Sequence, residues 1–406
     1  MDTVVSSPKI LFVSEILPEE GAFGGELRCL QVLRSLQEMG TVEILFLGGH
    51  AAAAQSKSLK IRHTVEVTPQ SNRGFIEKLR WTLDPKADYP YGYGTATGAL
   101  REVRQTLEGF DLIWFSKLRS SELFPNSRWP RSVLDIDDLP SKYEESAVQN
   151  EKQPLRRLMA LRAQFSWRRR EKLLGDRFSV IATCSEEDKQ YLQHLGTTAP
   201  IHVVPNGFER PNHEPVRRMS KPPRLGFVGL CDFYPNRNGI SWFVSECWSR
   251  IKAEIPDARL RLVGRDSDGF LNSFGPDVDK LGWLPGVSEE MQTWSAMIVP
   301  IRVGAGTRVK IAHAFSQKCP VVSTALGAYG YGAQSGDEMY LADTPEEFAD
   351  ACIAAIRNPN AAAEMAERAW RQFLEKWTWD AIRPRVWAAA EDALRLSRMP
   401  EVVGAV

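Results

Sequence analysis

The chain has 406 residues, which at about 150 residues per domain divides into two or three domains, each large enough to hold a core without disulfide staples. Hydrophobic residues make up 43% and charged residues 25%, and 51 Lys plus Arg balance 51 Asp plus Glu; this excludes a globally basic nucleic-acid binder. No apolar run approaches the ~18 residues of a membrane span, and Asp2 ahead of any base, with only a short apolar run at Ile10–Val13, predicts no secretory signal.

In chain order the first element is an apolar strand over Lys9–Ile16. A glycine-bearing turn, Gly21-Ala-Phe-Gly-Gly25, follows, and then a helix with Leu27, Leu30, Leu33 and Leu36 on one face and Gly40 as its stop. Strand-like runs recur at 42–47, 111–115, 132–136, 178–183 and 201–204, with helical segments between most of them. Pro205 to Pro223 carries five prolines and runs of charge, a poor helix and a poor strand. The theme then restarts with a strand at Arg224–Gly229, a loop through Pro235-Asn236 and a helix from about Gly239 to Glu254. Strands at 259–263, 297–301 and 320–323 precede helices at Pro345–Arg357, Ala361–Lys376 and Trp379–Leu396. Alternating strand and helix predicts an α/β protein with two Rossmann-like domains facing a central cleft, where ligands gather at strand ends. The expected division is a first Rossmann-like domain over 1–205, a linker over 206–223, a second Rossmann-like domain over 224–378, and a last helical stretch over 379–406.

The six cysteines (Cys29, Cys184, Cys231, Cys247, Cys319, Cys352) form no CxxC pair and the histidines form no ligand cluster. Buried free thiols in a reducing cytoplasm are expected, with no metal and no cofactor. Eight basic residues lie between Lys152 and Lys172, interleaved with Leu155, Leu158, Met159, Leu161, Phe165 and Trp167. Such a helix suits either an anionic membrane surface, with the protein peripheral on its inner face, or a solvated domain surface. Nothing beside it marks a nucleic-acid partner.

Four strings in consistent order carry a family likeness. Val204-Pro-Asn-Gly207 closes the first half, and Phe227-Val-Gly-Leu-Cys-Asp-Phe-Tyr-Pro-Asn236 opens the second. Val299-Pro-Ile-Arg-Val-Gly-Ala-Gly-Thr-Arg-Val-Lys-Ile-Ala-His-Ala-Phe315 leads to Cys319-Pro-Val-Val-Ser323, and Glu375-Lys-Trp-Thr-Trp379 approaches the last helix. Over nearly its whole length the chain resembles the family 4 glycosyltransferases of the GT-B fold. The resemblance implies a hexosyltransferase-like enzyme that moves a sugar from a nucleoside diphosphate donor (UDP, GDP or TDP) to a sugar, lipid-linked or small-molecule acceptor. It also implies an acceptor side on 1–205, nucleotide-sugar binding on 224–378, a closing helix over 379–406 packing back on the first domain, retention of anomeric configuration, and a setting in glycan, polysaccharide or glycolipid assembly.

The donor segment makes chemical sense by itself. A diphosphate needs backbone N–H groups, a helix N-terminus and cations. Gly304, Ala305, Gly306 and Thr307 offer close backbone approach at a helix start, and Arg302, Arg308 and Lys310 supply charge to stabilise the leaving group. The family's two glutamates, eight positions apart, fall on Ala305 and His313 here. His313 is read either as a ribose or diphosphate contact or as a packing residue. Leu230 takes the place of the family's usual arginine and Arg237 only approximates its lysine. In the first half Gly24-Gly25 matches the loop beside acceptor and donor phosphates. Lys117 and Arg119 stand where the family often has a histidine, and Asp135, Asp137 or Asp138 at a strand end suit an acceptor hydroxyl or a loop cap. Two rivals share these features: a catalytically silent nucleotide-sugar-binding subunit that lost both glutamates, and a sugar-nucleotide epimerase.

Overall fold

The computed structural model describes residues 7–17, 24–47, 61–64, 67–69, 74–87, 93–95, 109–122, 124 and 128–396. The chain folds into two compact units. The first takes the residues up to Glu145, then Gln153–Pro205 and the chain from Ile382 on; the second takes Ser146–Lys152 and Asn206–Ala381.

The first unit holds β1 (Lys9–Ser14), β2 (Thr41–Phe46), β3 (Ile61–Thr64), β4 (Val67–Pro69), β5 (Tyr93–Thr95), β6 (Leu112–Ser116), β7 (Trp129–Ile136), β8 (Phe178–Thr183) and β9 (Ile201–Val203). Seven of these form a sheet in the order β3-β2-β1-β6-β7-β8-β9, parallel throughout, while β4 and β5 pair antiparallel. In β1 the five residues after Lys9 are all buried, as a strand covered on both faces requires. That is why it reads in sequence as an unbroken apolar run. The core under this sheet gathers Leu11, Phe115, Leu134, Phe178 and Ile181 with the aromatic group of Phe124 and Trp129.

The second unit holds β10 (Arg224–Val228), β11 (Arg259–Val263), β12 (Val278–Gly282), β13 (Ala296–Val299), β14 (Val321–Ser323) and β15 (Tyr340–Leu341). They form a parallel sheet in the order β12-β11-β10-β13-β14-β15. Two apolar clusters cover it, one built on Phe227, Phe243, Leu262 and Phe348, the other on Trp294, Met297, Phe315 and Phe373. The fold class is the α/β, doubly Rossmann-like one expected. The helix after β10 starts at Tyr234, five residues before the expected Gly239, because Pro235 sits in its first turn, where a missing N–H leaves nothing unpaired. It continues through a π turn, Phe243–Cys247, into Trp248–Glu254. The helix Pro345–Arg357 begins on a capping box between Thr344 and Glu347.

Residues 206–223 hold no helix or strand beyond an isolated bridge from Phe208 to Thr378. The helix Trp379–Leu396 joins the first unit from Ile382 onward. There Trp387 Nε1 donates to the Ser35 carbonyl at 2.8 Å, Arg383 pairs with Glu38 at 3.2 Å, and His202 Nε2 meets Asp392 at 3.1 Å. All six cysteines are free and buried.

Candidate active site

In the second sheet the chain runs from β10 outward through β11 and β12, then returns to the other side of β10 as β13. A crevice opens at the carboxyl ends of two such neighbours, where connections leave in opposite directions. The segments leaving β10 and β13 there are Gly229–Phe233 and Pro300–Arg308. The donor segment expected from sequence is the second of these.

Gly304 has φ 141° and Gly306 φ 69°, backbone that a residue with a Cβ rarely adopts. The Gly304 N–H donates to Ser146 Oγ at 2.8 Å, and Asn150 Nδ2 donates to the Arg302 carbonyl at 2.7 Å. Residues 146–152 thus brace the loop from within the same unit. After the turn, Arg308 caps the helix Val309–Ser316. Its Nη1 bonds the carbonyls of Ala305 and Gly306. Its Nε and Nη2 are buried and have no hydrogen-bond partner among the described residues, nor has the hydroxyl of buried Thr307. Tyr331 OH donates to the Arg308 carbonyl at 2.9 Å and accepts from the Ala312 N–H at 3.1 Å, which closes the helix start.

Lys310 follows within the first turn of that helix. Its Nζ donates to Asn236 Oδ1 at 3.0 Å and lies 3.8 Å from the centre of the Phe227 ring. Burial, with the charge of Arg308 beside it, holds the ammonium well below the usual lysine range. Gly229 makes this packing possible, since a Cβ there would stand 3.0 Å from Lys310 Nζ and 2.8 Å from Asn236 Nδ2. Two cations, buried donors without partners and a helix N-terminus converge, and among the described residues no acid pairs with either cation. Such a place favours an anion with several oxygens.

The other expected donor residues divide. Arg302 lies over the Trp242 ring at 5.3 Å, so it joins the helix after β10 instead of the Arg308–Lys310 pair. Arg237 pairs with Asp268 at 2.5 Å and stacks on Phe270 at 4.7 Å. Ala305 is buried and gives its carbonyl to Arg308. His313 is buried, stacked on Phe208 at 4.1 Å, with Nε2 bonded to Ser288 Oγ at 2.9 Å; burial lowers its pKa to about 4, so the ring is neutral near pH 7. These contacts favour the packing alternative. Asn236 and Ser146 were not expected among the site residues. Nearby, Asp232, Asp266 and Asp268 bring one carboxylate oxygen each within 4.8 Å of one another; Asp268 faces Arg237, Asp232 accepts from Ser267, and Asp266 from the Phe270 and Leu271 N–H groups.

The first sheet has its own reversal between β1 and β6. Gly24 and Gly25 open the helix Gly25–Gln37 there, and Gly25 leaves room for two side chains: a Cβ on it would stand 2.5 Å from Lys117 Nζ and 3.2 Å from Asp137 Oδ2. Lys117 itself sits at φ 74°, its N–H bonded to the Asp135 carbonyl at 2.9 Å. Arg119 pairs with Glu15 at 3.2 Å. Burial raises the Glu15 carboxyl, against the pull of Arg119 and Lys117. Gly24, Gly25, Lys117, Arg119 and Asp137 therefore gather around one strand end. Asp135 lies apart from that cluster in its contacts. It is buried and held by Arg28, whose Nη2 reaches Oδ1 at 2.5 Å while Nη1 donates to the Val204 and Pro205 carbonyls at 2.7 and 3.2 Å. Both partners are buried and paired with each other.

Residues 222–358 match the family model for glycosyl transferases of group 1. An uncharacterised 44.6 kDa protein in the cps region of Klebsiella pneumoniae is 25% identical over 188 residues, covering 42% of this chain and 48% of the relative. The match thus spans about half the length of that relative. Among solved structures, Anabaena HepE in complex with UDP and glucose superposes with a TM-score of 0.65 at 16% identity, over 95% of this chain and 99% of that one. Sucrose-phosphate synthase from Thermosynechococcus elongatus gives 0.66 at 16%, over 96% and 99%. WaaG, a glycosyltransferase involved in lipopolysaccharide biosynthesis, gives 0.60 at 13%, over 96% and 100%. The segment bearing Arg308 and Lys310 therefore lies within the stretch that matches the group 1 glycosyl transferase model, and the chain as a whole shares the fold of two Rossmann-like domains with these solved glycosyltransferase structures.

Proposed function

We propose that this protein transfers a sugar from a nucleoside diphosphate donor to an acceptor hydroxyl, with the diphosphate seated on the second unit at Thr307, Arg308 and Lys310. The observation that carries it is the set of buried donors without partners on Arg308 and Thr307, beside a lysine with no acid. A buried N–H or hydroxyl left unpaired is destabilising by roughly 1–3 kcal/mol, and phosphate oxygens would relieve it. UDP is the favoured nucleotide, since HepE of similar fold binds UDP and glucose.

As the bond from the anomeric carbon to the diphosphate oxygen breaks, negative charge grows on that oxygen. Arg308, Lys310 and the helix start stabilise it more in the transition state than in the bound donor. The acceptor oxygen bonds to the anomeric carbon as its proton passes to the departing diphosphate oxygen, on the same face of the sugar, which gives retention. No metal or cofactor takes part in this scheme. The cluster of Gly24, Gly25, Lys117, Arg119 and Asp137 suits hydroxyl groups, and we place the acceptor there. The setting is glycan, polysaccharide or glycolipid assembly in the cytoplasm, where six reduced buried thiols fit the redox state. No helix of the described residues is long and apolar enough to cross a membrane.

One observation favours a second possibility, a silent binding subunit: the two places the family gives to glutamates hold Ala305 and the packed, neutral His313. Incubating the full chain with UDP-, GDP- and TDP-sugars plus simple acceptors, and measuring nucleoside diphosphate release, separates the two. Turnover of a UDP-sugar is expected. Binding without release from any donor would establish the silent subunit.

A further inference from the structure

We propose that the helices Phe75–Leu83 and Pro154–Lys172 of the first unit together form a docking surface for an anionic lipid bilayer. Of the fourteen exposed large apolar side chains among the described residues, eight lie on these two helices. On the longer one, Leu155 is 75% exposed, Met159 69% and Phe165 59%, with Leu158 and Leu161 between them. At 100° per residue these five fall within an arc of about 160°. On the shorter one, Ile76, Leu79 and Leu83 are exposed at a spacing that puts them on one face, Ile76 at 79%.

The two rows are held side by side by arginines of the longer helix. Arg162 Nε donates to Thr82 Oγ1 at 2.9 Å, Arg169 Nη1 to the Leu83 carbonyl at 2.9 Å, and Trp81 and Trp167 meet edge to face at 5.3 Å. This pairing cannot be read from either segment alone. Charge selects the occupant. Lys152, Arg156 and Arg157 are exposed among the apolar residues, while Glu171, the one acid from 152 to 172, is buried against Ser141. The shorter helix adds Lys78 and Arg80 against one exposed acid, Glu77, so protruding apolar side chains ringed by an excess of cations match the boundary between acyl chains and anionic headgroups, where each basic residue adds about 1 kcal/mol. A protein partner would more often meet a surface with fewer exposed lysines and arginines and more flat packing.

This proposal stands apart from the sugar-transfer scheme and its failure leaves that scheme intact. The test is flotation of the full chain with vesicles of phosphatidylcholine alone or with 30% phosphatidylglycerol, with UDP binding and thermal melting as controls for folding. The expected result is binding to the anionic vesicles only, falling at least fivefold between 50 and 500 mM salt. It should also fall at least fivefold in Ile76→Glu/Leu79→Glu and, separately, in Leu158→Glu, with UDP binding unchanged. Binding that is equal on neutral vesicles, absent on anionic ones, or unaffected by the Ile76→Glu/Leu79→Glu pair overturns the two-helix surface. So does a concentration-dependent dimer without lipid that the same variants abolish, which would assign the surface to a second copy of the chain.

Discussion

At Lys310 a single nitrogen is asked to stay half-buried without an acid, and this is where chemistry is most exposed to substitution. Replacing Lys310 with Ala should lower kcat by roughly 10²–10³ and move donor KM far less, because a fixed cation gains most as charge grows on the leaving oxygen; steady-state kinetics with the active donor check it, and a kcat within about threefold of the parent would contradict it. His313 makes a different claim. Its pKa near 4 in the fold, against about 6.5 for an unfolded chain, means that the unfolded state binds more protons between those values. Stability therefore falls as pH drops from about 6.5 to 4, by up to about 3 kcal/mol. In His313→Gln that share of the slope should vanish, measured by urea unfolding at pH 7 and pH 4.5; parallel losses in both proteins would put the slope elsewhere. Glycines, a threonine and two closely spaced cations made the proposed anion site legible in sequence. The partners did not, because Asn236 and Ser146 lie 74 and 158 residues from the groups they bind. The same holds for Arg302 and Arg237, whose Trp242 and Asp268 are chosen by packing.

Among elements, central strands such as β1, β7 and β13 announced themselves because burial on both faces demands unbroken apolar runs. Strands that gave no such signal include β3, β12 and β15, at edges of the two large sheets, and the short pair β4 and β5. Val278-Asp-Lys-Leu-Gly282 carries two adjacent charges and no apolar run, as an edge strand open to solvent tolerates, and the two residues of β15 are too short for any periodicity. The brace from residues 146–152 to the Arg302–Gly304 loop is likewise an arrangement of elements and not a motif. Ser146→Ala leaves the buried Gly304 N–H without its acceptor, at a cost of about 1–3 kcal/mol. Loosening the loop that carries Arg308 should then weaken UDP binding severalfold with little change in the rest of the fold, read by calorimetry and far-UV circular dichroism. Unchanged affinity would show that the loop holds its shape without the serine.

For the whole molecule, the two-unit architecture was readable from its alternating elements and its proline-rich linker, while the contact that ties down the end of the first unit was not. Arg28, from the first helix, binds Asp135 at the end of β7 and the carbonyls of Val204 and Pro205, where the first unit ends. Removing one partner of such a buried pair costs roughly 3–5 kcal/mol, so Arg28→Ala should unfold at markedly lower denaturant than the parent. Asp135→Asn, which keeps the shape but loses the charge, should be milder; equal midpoints for all three proteins would make the pair dispensable. The central claim, that Arg308 and Lys310 form a diphosphate site, is tested most directly by titrating the full chain with UDP and UMP in a calorimeter. UDP should bind at least tenfold more tightly than UMP, and Arg308→Ala/Lys310→Ala should reduce UDP to the level of UMP. Equal affinities for the two nucleotides in the parent, or a double variant that binds UDP undiminished, would contradict it.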